Sequence, residues 1–271
     1  MQQMFLGLGA TSALSNFSGV TSNLAVHWDF GDTNCWSGGT AITDLTGNGN
    51  GGTLKGGASG GTSTNVFSAQ TANGGAIRFS TDEDDDPRIQ RDGTDFFDSI
   101  TDDDFTLEFW IRPYWNANVS GTNENFHIFT NYPSAAQNLR LVLNEDGGNL
   151  RLRAAFHGTW GYMTSGDAFN ISSNSFASNW SHIVVTRGDT SASTYKTYLN
   201  NSLVSTRTAS GDYGQASFAS TRTIGHQSTS STNEFNRYYG DFAVYRFYNG
   251  KALTSTEVAT NYNVSASRFG L

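Results

Sequence analysis

Cysteine occurs once in this 271-residue chain, at Cys35, and proline only three times. One thiol cannot close an intramolecular disulfide, so packing and hydrogen bonding must hold the fold without covalent staples. Cys35 itself reads as a small buried apolar group, since no neighbouring His or Lys would activate it. No apolar run reaches the ~20 residues that a membrane-spanning helix needs. Sustained 3.6-residue apolar periodicity is missing too, which excludes a helical bundle as the framework. Lysine is confined to Lys55, Lys196 and Lys251, and a formal net charge of −8 argues against a nucleic-acid-binding surface.

Charge is also missing from one place. Between Met1 and Trp28 there is no Asp, Glu, Lys or Arg. The segment lacks the basic start and apolar stretch of a secretory signal. Residues 1–23 are therefore expected to form an arm with apolar points at Met4, Phe5, Leu6 and Leu8, and residues 24–271 the folded domain. An edge strand of its own domain and a tether to another subunit are both open for the arm.

What is present is a succession of short alternating segments and polar turns. Gly, Ser, Thr and Asn are abundant, as expected of many strands joined by tight connections. Phe105, Leu107, Phe109 and Ile111 alternate with Thr106, Glu108, Trp110 and Arg112. Asn138 to Phe156 reads as a hairpin, with Leu139, Leu141, Leu143, Leu150, Leu152 and Ala154 inward and Arg140, Arg151 and Arg153 outward. WSHIVVTRG, from Trp180, is a continuous apolar strand. Tyr195 to Thr208 is a second hairpin turning at Asn200–Asn201, and Arg222 to His226 a further short strand. From Asp241 to Tyr248 both faces are apolar, with Phe242, Val244 and Tyr248 expected beside Arg246 and Ala243, Tyr245 and Phe247 opposite. Such a strand belongs inside a layered stack. Thr254 and Glu257 then have the spacing of a capping box, and Val258 and Tyr262 would pin the helix that follows. About a dozen strands and one short C-terminal helix describe an all-β, two-sheet antiparallel sandwich.

The acids cluster. Half of them lie between Asp82 and Glu108, against only Arg88 and Arg91. Asp82, Asp84 and Asp86 alternate as oxygen ligands of a structural calcium would, while Pro87 and Gly93 break the helix–loop–helix calcium pattern. A solvated loop that keeps the surface soluble is the other reading.

Four blocks together resemble the laminin-G-like, concanavalin A-type jelly rolls common in bacterial surface proteins and phage structural proteins. His27 to Leu54 is similar to the family's opening aspartate strand and Asp–Leu–Ser–Gly–Asn–Gly–Asn turn, with Thr46 for Ser. FTLEFWIRP is similar to its central strand. WSHIVVTRG with YLNNSLV resembles its Trp-His strand and following hairpin, with Asn201 and Ser202 around the family's Gly. YYGDFAVYRFYNGKALTSTEVATNYN resembles its signature strand and capped helix. The likeness runs from Leu24 to Asn263 and implies a jelly-roll sandwich that hosts lectins, hydrolases and scaffolds alike. Within it, Gly47, Gly49 and Gly51 free the backbone, Asn48 and Asn50 are expected to satisfy nearby N–H groups, and Trp110 and Trp180 to pack inside the sandwich.

Hydrolysis on this fold needs two carboxyls across a scissile bond. Glu108 is the best single candidate, and no second acid follows it at alternate spacing. The five histidines form no metal-type pair, and no nucleophile elbow surrounds a serine. Binding is better supported. His157, Trp160 and Tyr162 in one Gly-punctuated segment, with Trp115 and Tyr132 in another, supply aromatic faces among many amides, which suits a glycan; rim or subunit packing is the competing use. The expectation is a non-enzymatic surface protein of a phage virion (decoration, fibre or adsorption module), attached through its arm to other virion proteins as an oligomer and binding host polysaccharide. A glycan-binding module of a bacterial cell-surface protein is the alternative, with no membrane insertion in either case.

Overall fold

The alternating segments pair into two antiparallel sheets. The structure, a computed structural model, describes residues 17–56, 67–70, 75–79, 87–91, 104–115, 125–134, 137–145, 150–156, 159–162, 175–188, 194–208, 222–226 and 237–271. For some strand residues, among them Trp115, Tyr132, Trp160 and Tyr162, it describes the backbone alone.

The nine-stranded sheet runs β15 (Ser202–Thr208), β14 (Thr194–Leu199), β13 (Ser181–Gly188), β7 (Phe105–Trp115), β17 (Gly240–Asn249), β5 (Ile77–Phe79) and β4 (Phe67–Ala69). Beside these, β1 (Leu24–Asp29) pairs with β17, and β12 (Ser175–Phe176) with β7. The eight-stranded sheet runs β11 (Thr159–Tyr162), β10 (Leu150–Phe156), β9 (Gln137–Glu145), β8 (Asn125–Ser134), β16 (Arg222–Ile224), β6 (Arg88–Arg91), β3 (Gly52–Lys55) and β2 (Ala41–Ile42). Among the described residues seventeen strands stand where about a dozen were expected, because several are two or three residues long.

Side chains from both sheets meet in one core. Phe109 of β7 stacks on Tyr245 of β17 at 5.3 Å, and Phe129 of β8 reaches both from the facing sheet. The β9–β10 hairpin sends Leu139, Leu141, Leu143, Leu150, Leu152 and Ala154 into this core, as their alternation predicts. Truncating one of these leucines to Ala costs about 2–5 kcal/mol.

The parity expected for β17 is wrong in its first half. Pairing with β7 slips between Phe242 and Val244, a β-bulge that adds one residue. Phe242 therefore joins Tyr245 and Phe247 in the inter-sheet core, while Val244, Arg246 and Tyr248 lie on the outer face. That face is buried as well. Helix α1 (Ser255–Ala266) and a terminal 3-10 turn (Ser267–Phe269) pack across it. Trp110 and Trp180, expected between the sheets, belong to this second layer instead. Trp110 stacks on Phe269 at 4.5 Å, His182 at 4.8 Å and Tyr262 at 5.7 Å, and Trp180 meets Phe269 at 4.7 Å. The helix supplies a third layer that period-two alternation does not announce.

Its start is capped as expected: the Glu257 amide donates to Thr254 Oγ1, and the Thr254 amide to Glu257 Oε2 at 2.9 Å. Val258 is buried and Tyr262 half-buried against the sheet.

The Asp44–Asn50 turn is organised by a group other than its asparagines. Asp44 accepts from the amides of His27, Thr46 and Asn50 and from the Thr46 hydroxyl. Asn48 and Asn50 act chiefly as donors, to the carbonyls of Leu24 and Ala25. Gly51 is needed for closeness: a Cβ there would lie 2.4 Å from the Ile42 carbonyl oxygen.

Residues 17–23 lie along this same domain. The Val20 amide donates to Asn261 Oδ1 at 2.8 Å, Tyr248 donates its hydroxyl to the Val20 carbonyl, and Phe17 covers His27 and Arg246. Met4, Phe5, Leu6 and Leu8 lie outside the described residues, as do Asp82, Asp84, Asp86 and His157.

Candidate functional site

Glu108 projects from the middle of β7 toward α1 rather than toward water. Its carboxylate accepts from Arg246 Nη1 at 2.5 Å, His182 Nε2 at 3.0 Å and Asn261 Nδ2 at 2.7 Å, with no solvent exposure. Burial opposes ionisation, but the Arg246 charge and the His182 and Asn261 hydrogen bonds outweigh it and hold the carboxyl at about 2. One side chain thus joins β7, β13, β17 and α1. A second buried acid, Asp241 on β17, is clamped by Arg78 Nε at 2.7 Å and Arg112 Nη2 at 2.5 Å. Asp29 pairs with Arg268. These carboxylates are framework groups.

The described histidines are framework groups too. His27 is buried beneath Phe17, and burial, helped by the Arg246 charge, lowers its pKa to about 3. His127 Nδ1 lies 2.8 Å from Thr130 Oγ1, and burial again favours the neutral ring. Among the described residues no cluster of three His, Cys, Asp or Glu side chains could hold a metal ion.

An open concavity lies on the outer face of the nine-stranded sheet, where the chain turns into α1. This groove, of about 390 Å³, is lined by Thr186 and Gly188 of β13, Thr194, Lys196 and Tyr198 of β14, and Ala252 to Ser255. The β13–β14 register sets the floor, opposing Gly188 to Thr194, Thr186 to Lys196 and Val184 to Tyr198. Leu203 on β15, directly opposite Tyr198, is 52% exposed. Hydroxyls, one ammonium group and apolar edges therefore face one space.

Sequence reasoning missed this groove. Its signal was weak: Thr194, Lys196 and Tyr198 alternate along β14, and Lys196 is one of only three lysines. The expected glycan residues are placed as follows. Trp160 and Tyr162 sit on β11, the edge strand of the eight-stranded sheet, paired with Ala155 and Arg153. Tyr132 lies on β8 of the same sheet, whereas Trp115 ends β7 of the other, opposite Ser175.

Residues 94–259 match the family model described as the Concanavalin A-like lectin/glucanases superfamily. The chain belongs to that superfamily. Several solved structures share the fold of this superfamily member. Domain 4 of AbnA, an extracellular GH43 arabinanase from Geobacillus stearothermophilus in complex with arabinotriose, is 17% identical with a TM-score of 0.58, over 88% of this chain and 98% of that one. The binding domain of Paraclostridial Mosquitocidal Protein 1 is 18% identical with a TM-score of 0.58, over 89% of this chain and 52% of that one. A structure of botulinum neurotoxin type C, whose cell entry depends on interaction with two ganglioside molecules, is 13% identical with a TM-score of 0.56, over 89% of this chain and 50% of that one. The chain thus spans about half of the toxin chains and nearly all of the arabinanase domain. No match is found among curated proteins.

Proposed function

We propose that this superfamily member is a non-catalytic glycan-binding module displayed on the surface of a larger particle, in the first instance a phage virion. The observation that carries the binding half is the use made of Glu108. In a fold shared by lectins and glucanases, the acid on the central strand is sealed under a helix and engaged by three donors. A glycosidase needs its carboxyls ~5–10 Å apart across the sugar, and Glu108 has no access to one. Fold neighbours, one in complex with arabinotriose and one whose cell entry depends on two ganglioside molecules, support a saccharide ligand. Trp160 and Tyr162 on β11, with Trp115, Tyr132 and His157, are the proposed stacking and hydrogen-bonding groups.

The virion setting rests on the charge-free leading segment. Residues 17–23 bond to the sandwich, so the proposed docking points are Met4, Phe5, Leu6 and Leu8 of the segment before them.

A glycan array tests the first half. Wild type should bind at least one oligosaccharide, Trp160→Ala and Tyr162→Ala should lose it, and no polysaccharide should be cleaved; release of reducing ends, abolished in Glu108→Gln, would overturn the reading. Removing residues 1–16 tests the second. The truncated chain should fold normally yet fail to incorporate into particles, and normal incorporation would reject the tether.

A further inference from the structure

We propose that the groove at the start of α1 is a subsite for a carboxylated sugar residue of the uronic or sialic acid class. The inference rests on the glycan-binding reading and adds a second site with its own chemistry.

Its volume of about 390 Å³ falls near the lower end of small-ligand pockets, which span roughly 300–1,000 Å³. The polar groups around it are unusually idle. Tyr198 is 3% exposed and Thr186 2%, and both line the groove. Among the described residues neither hydroxyl has a hydrogen-bond partner. Neither oxygen is sealed from the groove, so both hydroxyls open onto it and are available to a ligand hydroxyl or carboxylate.

The charge arrangement selects the ligand. Lys196 carries an exposed ammonium with no ion pair among the described residues, within a chain of net charge −8. The capping box uses the Thr254 and Glu257 amides. The other two amides of the first turn, Ser255 and Thr256, donate to no described residue, and Ser255 borders the groove. A helix start with free N–H groups favours an anion. The nearest acid in that turn, Glu257, is neutralised by Lys251 at 2.7 Å. Asp104 stands at the opposite end, where a Cβ on Gly188 would lie 3.9 Å from its Oδ1. The groove is therefore cationic at Lys196 and acceptor-rich at Gly188. A sugar acid fits both ends, with its carboxylate against Lys196 and the Ser255 amide and its ring hydroxyls toward Asp104, Thr186 and Tyr198. Ala252 and Leu253 in the lining offer apolar edges to the ring carbons.

Calorimetric titration of the full chain with trigalacturonate, with 3′-sialyllactose and with the methyl ester of each decides the matter. One of the acids should bind, and its ester at least tenfold more weakly. Lys196→Met should lose at least tenfold, Tyr198→Phe should lose severalfold with unchanged thermal stability, and Lys55→Met, on the other sheet, should match wild type. Amide shifts of the isotope-labelled protein should centre on Thr186, Lys196, Tyr198 and Ser255. Equal binding of acid and ester, or full affinity in Lys196→Met, overturns the groove assignment. If neutral oligosaccharides still bind through Trp160 and Tyr162, that failure is confined to the groove; if wild type binds no oligosaccharide at all, the glycan-binding reading falls with it.

Discussion

Arg246 stands directly opposite Glu108 on the adjacent strand and donates to its carboxylate at 2.5 Å, both side chains lying beneath α1. The pair is out of water, so neither charge can be lost without stranding the other. Replacing one partner of a buried pair costs about 3–5 kcal/mol. Glu108→Gln should therefore lower the unfolding free energy by roughly that amount in urea titrations. An unchanged midpoint would remove the carboxylate from the framework.

Acid sensitivity follows from the same cluster and from the buried histidines. Glu108 titrates at about 2 in the fold against 4.5 ordinarily, and His27 at about 3 against 6.5. Both folded values are depressed, so the unfolded chain takes up protons first and stability drains away as pH falls. The His27 contribution is complete above 6.5 and is lost between 6.5 and about 3; that of Glu108 is complete above 4.5 and is lost toward about 2. His127, also held neutral by burial, adds to the first window. Each buried histidine should give a slope of about 1.4 kcal/mol per pH unit below 6.5. Denaturation at stepped pH should show this decline, and His27→Phe should reduce it between pH 6 and 5. A flat profile from pH 7 to 5 would contradict the burial of these rings in neutral form.

The hairpin between β14 and β15 separates two asparagines with different duties. Asn200 and Asn201 have φ of 47° and 65°, the left-handed geometry of a tight hairpin turn. Asn200 also accepts the His182 amide on its Oδ1 at 2.9 Å and donates its own amide to the His182 carbonyl. Asn201 serves the turn alone. Asn201→Gly should be neutral or stabilising by up to about 1 kcal/mol, since Gly pays no Cβ penalty there. Asn200→Ala should destabilise by about 1–2 kcal/mol through the lost side-chain bond. Equal effects on melting temperature would dissolve the distinction.

Much of this architecture was legible because local chemistry enforces it. The alternation in β7 and in the β9–β10 hairpin, the Asn200–Asn201 turn and the Thr254–Glu257 cap are each settled by residues within a few positions of one another. The bulge at Phe242–Val244 was not, because period-two counting has no term for one extra residue, and a single slip moves Phe242 to the other face. Nor was the second layer: Trp110 reads as an ordinary inward aromatic until Tyr262 and Phe269 arrive from the far end of the chain. The groove is harder still. Thr186, Lys196 and Ser255 come from three separate elements, and only the folded topology brings them together.

Cys35 is 1% exposed, and burial pushes its thiol up to about 12. Maleimide reagents need a thiolate at the surface, so the native protein is silent to them. A lone cysteine introduced on β15 as Leu203→Cys would be the only reactive handle, giving one-site attachment of a fluorophore or spin label without first deleting the natural thiol. Conversely, labelling of Cys35 itself would serve as a clock for global opening of the fold.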